Sequence, residues 1–156
     1  MLCASISSPI GWLNIEATDW SIIALYFTSK PHEVQSDHPL ILETKLQLQS
    51  YFDGSSKEFK RPLDPPGTAF QRQVWEELNN LPYGQTTTYL KLAKSLGDEN
   101  KVRAVAGANA ANPIAIVIPC HRVIAGNGQL TGYAWGLERK EWLLQHEQNR
   151  EQLKLF

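Results

Sequence analysis

Pro65-Pro66-Gly67 restricts the folding of this chain more than any other stretch. Two consecutive prolines remove two backbone donors and fix φ, and each bars the residue before it from the helical region. Glycine then permits a sharp change of direction. No helix or central strand runs through such a triplet, so the chain reads as two domains, residues 1–66 and 67–156. The full 156 residues can bury about 70% of their unfolded surface, enough for a core without metal or disulfide. The two segments carry different periodicities.

Before the triplet the pattern is mostly that of strands. Cys3-Ala4-Ser5-Ile6 leads to the turn Ser8-Pro9-Ile10-Gly11, after which Trp12-Leu13-Asn14-Ile15-Glu16-Ala17 alternates apolar and polar positions. Thr18-Asp19 turns the chain into the β-branched and aromatic run Trp20-Ser21-Ile22-Ile23-Ala24-Leu25-Tyr26-Phe27, completing a three-stranded meander. Residues 40–52 place Ile41, Lys45, Leu48 and Phe52 on one helical face, with Leu42, Leu46 and Tyr51 nearby. Asp53-Gly54-Ser55-Ser56 ends that helix, and residues 59–63 read as a further strand.

After the triplet the period becomes helical. Thr68-Ala69-Phe70-Gln71 has capping-box spacing, in which Thr and Gln side chains satisfy free amides at a helix start. Phe70, Val74, Trp75, Leu78 and Leu81 follow at helical spacing up to the stop Pro82-Tyr83-Gly84. Thr86-Thr87-Thr88 caps a short helix at 89–96, Gly97-Asp98-Glu99 turns, and a third helix spans 100–109. Two short helices around a glycine-containing turn form a helix-turn-helix pattern, which many helical hairpins unrelated to DNA share. In the third helix, Ala and Gly leave Arg103 projecting from a surface a partner can approach closely; the same small residues also suit a packed core helix.

Charge and cysteine content exclude several classes. Fifteen Lys+Arg against sixteen Asp+Glu give a net charge of −1, which argues against a nucleic-acid partner when taken as an average. The stretch 85–125, however, holds five basic and two acidic residues, a local +3. A local excess of that size supports modest, salt-sensitive phosphate contact, and equally a solvated mixed surface. No apolar run nears the roughly 20 residues that span a bilayer. Met1-Leu2-Cys3-Ala4-Ser5 lacks the features of a secretory signal, so a cytoplasmic protein and no membrane partner are expected. Cys3 and Cys120 form no CxxC, and the histidines show no zinc spacing, so neither disulfides nor a metal are expected.

The apolar run Ile114-Ala115-Ile116-Val117-Ile118 reads as extended and must end at Pro119, which cannot donate to a ladder. That leaves Cys120 at its mouth beside His121 and Arg122. A thiol becomes a nucleophile when its neighbours stabilise the thiolate; a buried structural cysteine beside an incidental histidine is the alternative. Neighbours in an extended chain point to opposite sides, so contact between Cys120 and His121 needs a turn or a bridging water.

Pro119-Cys120-His121-Arg122-Val123 resembles the active-site signature of the O6-alkylguanine-DNA alkyltransferases. Gly67-Thr68-Ala69-Phe70-Gln71, Val74-Trp75, Leu81-Pro82-Tyr83-Gly84, Arg103-Ala104-Val105, Asn109, Asn112-Pro113 and Gly132-Tyr133 match in order and spacing. So do Tyr89, Leu92 and Ala93, and the series Lys140, Leu143, Leu144 and Glu147. The likeness is close over residues 67–147 and loose before them. It implies an α+β fold: an N-terminal β-meander plus helix domain of ribonuclease H-like type, then a mostly helical, helix-turn-helix (winged-helix-like) domain. It also implies repair in which O6-alkylguanine is flipped from the minor-groove side of double-stranded DNA and its alkyl group moves irreversibly to Cys120, once per molecule.

On that resemblance His121 relays the thiol proton, Glu147 orients His121, Asn112 braces the active-site turn and Tyr89 donates toward guanine N3. Tyr133 forms a wall of the base pocket, Val123 reads the guanine edge through its backbone, and Ala134 and Trp135 line the alkyl side. The DNA-contact set is Tyr89, Arg103, Ala104, Gly107, Ala108 and Arg122, with Arg103 filling the gap left by the flipped base. No cofactor is implied, and a monomer is expected. Cys3 has no second N-terminal cysteine beside it, unlike relatives with zinc there, and Trp135 stands where some relatives have Gly, so bulky adducts are expected to react poorly. A transcriptional regulatory role is not expected. Two other classes compete: an alkyltransferase-like damage-flagging protein lacks the acceptor that Cys120 supplies, and a cysteine hydrolase or peroxidase needs an oxyanion site or resolving thiol.

Overall fold

The computed structural model describes residues 1–153, the side chains being described through residue 148. The chain is α+β and divides into two units: Met1–Pro66 with Pro113–Ala115, and Gly67–Asn112 with the chain from Ile116 onward. The return of Pro113–Ala115 to the first unit is invisible in any local pattern.

The first unit is an antiparallel meander, β1 (Leu2–Ser8), β2 (Gly11–Ala17) and β3 (Ile22–Thr28), with helix α1 (Pro39–Asp53). Register pairs Ile6 with Leu13 and Leu13 with Phe27, putting three apolar side chains in a row on one face. Gly11, at φ 121°, closes the first hairpin in a conformation closed to residues with a Cβ. Strand β2 departs from simple alternation because Leu13, Asn14 and Ile15 are all buried. Asn14 sits beneath the following loop: Ser5 Oγ donates to its Oδ1 at 2.6 Å and its Nδ2 donates to the Lys30 carbonyl at 3.1 Å. Pro113–Ala115 extends the sheet beyond β3, the Leu25 N–H bonding to the Pro113 carbonyl and the Ala115 N–H to the Leu25 carbonyl.

Two expectations for this unit are corrected. Residues 59–63 form no strand; only Leu63 bridges to Ile22, because Pro62 has no N–H to continue a ladder. The buried face of α1 is Leu40, Ile41, Thr44, Leu48 and Tyr51, whereas Leu42 and Leu46 are exposed.

The second unit is mostly helical. Helix α2 (Ala69–Leu78) starts with the complete capping box: the Gln71 N–H donates to Thr68 Oγ1 and the Thr68 N–H to Gln71 Oε1. It ends at Leu78, before Pro82 is reached, and buries Val74, Trp75 and Leu78. Gly67 is needed for close approach, since a Cβ there would lie 2.5 Å from Trp75 Cη2. A two-residue strand β4 (Thr87–Thr88) precedes α3 (Tyr89–Ser95), capped by Thr88 Oγ1, and a 3-10 turn at Glu99–Lys101 leads into α4 (Val102–Ala110). Another 3-10 turn, Cys120–Arg122, runs into β5 (Val123–Ile124), and α5 (Leu137–Leu153) closes the unit. Trp75 Nε1 donates to the Ala108 carbonyl at 2.8 Å, tying α2 to α4. Among the described residues no helix is long and apolar enough to cross a membrane.

The extended reading of 114–118 also fails. Ile114 makes one bridge, and the chain then turns at Ile116, whose φ of 70° is left-handed. A β-branched residue in that region costs on the order of 1–3 kcal/mol and persists only where its surroundings impose it. Here the Asn112 side chain donates to the Ile118 carbonyl at 2.8 Å, and the Cys120 N–H donates to the same oxygen at 2.8 Å.

Candidate active site

Every candidate side chain lies in the helical unit. Strand β5 pairs in parallel with β4, Thr87 opposite Val123 and Thr88 opposite Ile124. This short ladder brings the start of α3, and so Tyr89, beside the segment that follows Cys120. The 3-10 turn at Cys120–Arg122 replaces the extended geometry that would have sent neighbouring side chains to opposite sides. His121 and Arg122 therefore both reach one carboxylate on α5.

Cys120 is 2% exposed. Burial pushes its thiol up to about 11, against the Asn112 side-chain bond and the charge of Lys140, which pull the other way. The thiol thus keeps its proton near neutral pH and needs a base to lose it. His121 is the next residue in the chain. It is fully buried, and burial holds its imidazole below the ordinary value; Arg122 and Lys140 push the same way, Glu147 the other. His121 Nε2 lies 2.7 Å from Glu147 Oε2. An ionised carboxylate only accepts, so Nε2 is the protonated nitrogen and Nδ1 carries the lone pair. Among the described residues Nδ1 has no hydrogen-bond partner.

Glu147 is 1% exposed. Burial works to raise its carboxyl, but His121 and Arg122 together outweigh burial and hold it well below the usual carboxylate range. Arg122 Nε donates to Oε1 at 2.8 Å, its Nη2 to Oε2 at 3.2 Å, and its Nη1 to the Leu81 carbonyl at 2.8 Å. The Gly84 N–H adds a longer bond to Oε1 at 3.4 Å.

Around this line stand the aromatic candidates. The Tyr89 hydroxyl donates to the Thr131 carbonyl at 3.3 Å; burial raises its phenol, and the nearby Cys120 adds to the rise. The Tyr133 hydroxyl is buried with no hydrogen-bond partner among the described residues. The Tyr133 and Trp135 rings meet edge to face, with centroids 5.3 Å apart, while Ala134 between them is exposed. Val123 is fully buried.

Two DNA-contact candidates lie elsewhere than expected. Arg122 is 7% exposed and its guanidinium is occupied by Glu147 and Leu81, so it faces inward. Ala108 is buried with Val105 and Asn109, because the α4 face at that spacing packs inward. Arg103, Ala104 and Gly107 form the exposed face of the same helix.

Sequence reasoning missed two contributors. Lys140 is fully buried, and its Nζ donates to the carbonyls of Val123, Thr131 and Gly132 at 2.5, 2.8 and 3.2 Å. Burial lowers its ammonium to about 8. The signal was its helical spacing with Leu143, Leu144 and Glu147, which puts it on a buried face. Asn109 Nδ2 donates to the Cys120 carbonyl at 3.4 Å, bracing the turn from α4. Among the described residues no group of three or more His, Cys, Asp or Glu is arranged to hold a metal ion.

Fold and site together define a class: an α+β protein of two units, whose helical unit holds paired short helices and a buried cysteine followed in the chain by a histidine bonded to a carboxylate. Comparison with known proteins makes the class specific. Residues 1–65 match the ribonuclease-like domain of 6-O-methylguanine DNA methyltransferase, and residues 69–149 match its DNA binding domain. The methylated-DNA–protein-cysteine methyltransferase of Methanosarcina acetivorans is 41% identical over 153 residues, covering 94% of this chain and 98% of that protein. The Shigella flexneri protein of the same name is 38% identical over 165 residues, with 94% and 95% covered. A crystal structure of Mycobacterium tuberculosis OGT in complex with DNA superposes with a TM-score of 0.88 at 39% identity, covering 96% of this chain and 94% of that one. The chain belongs to the 6-O-methylguanine DNA methyltransferase family.

Proposed function

We propose that this chain takes the alkyl group of an O6-alkylguanine onto Sγ of Cys120, once per molecule. Family membership makes it a methyltransferase of DNA repair, with methylated DNA as donor, a protein cysteine as acceptor and DNA as its partner. The observation that carries the assignment to Cys120 is a buried thiol next in the chain to His121, whose Nε2 lies 2.7 Å from the Glu147 carboxylate and whose Nδ1 has no hydrogen-bond partner among the described residues.

In the step proposed, the thiol hydrogen passes to His121 Nδ1, directly or through a water. The sulfur lone pair attacks the sp³ carbon, the S–C bond forms and the C–O6 bond breaks. The electron pair goes to the purine oxygen, and a proton returns to the purine, so the thiol hydrogen ends on the restored guanine, which stays in the DNA strand. Tyr89 donates toward guanine N3 as negative charge develops there, Val123 and Cys120 offer backbone groups to the guanine edge, and Tyr133 stacks on the base. The thioether is not reversed, which makes the protein a stoichiometric reagent.

Reaching the alkyl carbon requires the base to leave the duplex, at a cost of a few kcal/mol. Ala104 and Gly107 leave the exposed face of α4 flat enough to enter a minor groove, and Arg103 fills the vacated position in the stack. Minor-groove contact reads sequence poorly, which suits a protein that scans any context. The protein acts as a monomer.

The test is incubation with duplex DNA containing O6-methylguanine, followed by intact-mass and peptide analysis. One methyl group on the peptide holding Cys120, at a ratio of one per protein, is expected. Tight binding with no methyl on Cys120 overturns the proposal in favour of a damage-flagging binder.

A further inference from the structure

Arg122 is buried, charged and unused by the step above. Its guanidinium forks onto both oxygens of Glu147, Nε to Oε1 at 2.8 Å and Nη2 to Oε2 at 3.2 Å, while Nη1 is anchored on the Leu81 carbonyl. His121 shares Oε2 at 2.7 Å. One carboxylate therefore serves two cation-capable partners in a site that excludes solvent.

That division decides which partner carries the charge. A carboxylate alone beside a buried imidazole favours imidazolium, because an opposite charge within about 4–6 Å stabilises the protonated ring. Imidazolium has a hydrogen on both nitrogens and cannot accept one from a thiol. A guanidinium is always charged, so with Arg122 in place the Glu147 charge is already matched. A second cation on the same carboxylate would meet Arg122 from the 3-10 turn and Lys140 from α5, both of which oppose charge on His121. On the segment before α5, the Tyr133 phenol is coupled by charge to Cys120, Arg139 and Glu147.

We propose that Arg122 is a positioning residue for alkyl transfer, matching the charge of Glu147 so that His121 stays neutral and presents Nδ1 to the Cys120 proton. The proposal rests on Cys120 being the acceptor, and it assigns to Arg122 an internal role in place of a DNA contact.

The test uses the full chain with ¹⁵N-labelled histidine. In the wild-type protein His121 is expected as the Nε2–H tautomer, uncharged at pH 6.5, the ordinary histidine midpoint. In Arg122→Met its titration midpoint is expected to rise by about one unit or more. The acid limb of the single-turnover transfer profile is expected to rise with it, so the rate falls about threefold near pH 6, approaches a tenfold fall at lower pH, and recovers by pH 8.5. Arg122→Lys, which keeps the charge without the fork, is expected to leave the limb near its wild-type place. A merely structural role would lower the rate by the same factor at every pH.

An unmoved limb and midpoint in folded Arg122→Met overturn the proposal, as does a wild-type His121 that titrates above pH 7. If Arg122→Met does not fold, the wild-type titration and the Arg122→Met/Glu147→Gln pair, in which both buried charges are gone, decide it. With no carboxylate to favour imidazolium, the double variant is expected to keep His121 neutral; a raised midpoint there overturns the proposal. The histidine titration needs no DNA, so absence of methyl on Cys120 is a separate failure, of the transfer assignment itself.

Discussion

Replacing Glu147 with glutamine puts the electrostatics of the site to a stability test. The wild-type carboxylate, 1% exposed, accepts from His121 Nε2, from Arg122 Nε and Nη2, and from the Gly84 N–H. Glutamine has nearly the same shape but offers one acceptor oxygen and one NH₂, so in either orientation an N–H faces a nitrogen of Arg122, donor against donor. Removing one partner of a buried pair while leaving the other charged costs about 3–5 kcal/mol. At 1.4 kcal/mol per power of ten, protection of the Leu143 and Leu144 amides in α5 against hydrogen exchange should fall by about two to three and a half powers of ten. Exchange is the assay of choice because it reports on the helical unit alone.

The sign with pH follows from the carboxyl being held below its ordinary range. Its contribution is complete above the unfolded value of about 4.3 and is lost as pH falls below it, at about 1.4 kcal/mol per unit. The gap between wild type and Glu147→Gln is therefore widest at neutral pH and narrows by about 1–2 kcal/mol by pH 3. A loss below 1 kcal/mol at pH 7, or a gap that does not close in acid, refutes the argument.

Three further outcomes are expected. Arg103→Ala, altered on the exposed face of α4, should fold as the wild type does but slow transfer at limiting protein, and normal transfer would count against its place in the vacated stack. Trp135→Ala removes the ring that meets Tyr133 edge to face at 5.3 Å and should speed transfer of benzyl more than of methyl; equal effects on the two adducts would sink the size argument. Gly67→Ala drives a methyl group to 2.5 Å from the buried Trp75 ring and should cost about 1–3 kcal/mol in thermal unfolding, a wild-type melting temperature refuting it.

Local devices are legible in the sequence. Thr68 and Gln71 bond each other's backbone across three positions, and the meander follows from runs of four to eight residues between turn signals. What failed was where a residue's neighbours come from another part of the chain. Asn14 is a polar position in the alternation of β2 and is nonetheless buried, because alternation cannot register the loop that covers it. The apolar run at 114–118 was read as extended because its composition favours β, yet the Asn112 side chain and the Cys120 N–H turn it through Ile116. Within the site, Cys120 and His121 were found as neighbours in sequence. Glu147 came only through resemblance, and Lys140 was quoted in a motif without a role.

The sequence by itself determined the two-part layout, because the Pro-Pro-Gly triplet and the change of period are local, whereas the α+β class and Cys120 as acceptor came through the resemblance of its motifs to a family. Tertiary structure alone decided what the two arginines do. Arg103 and Arg122 are indistinguishable as residue types in a basic stretch. One lies on the outward face of a helix; the other follows a 3-10 turn onto a carboxylate 25 positions further along the chain. The direction of a charge is set by the backbone beneath it and by what waits opposite, and neither is local.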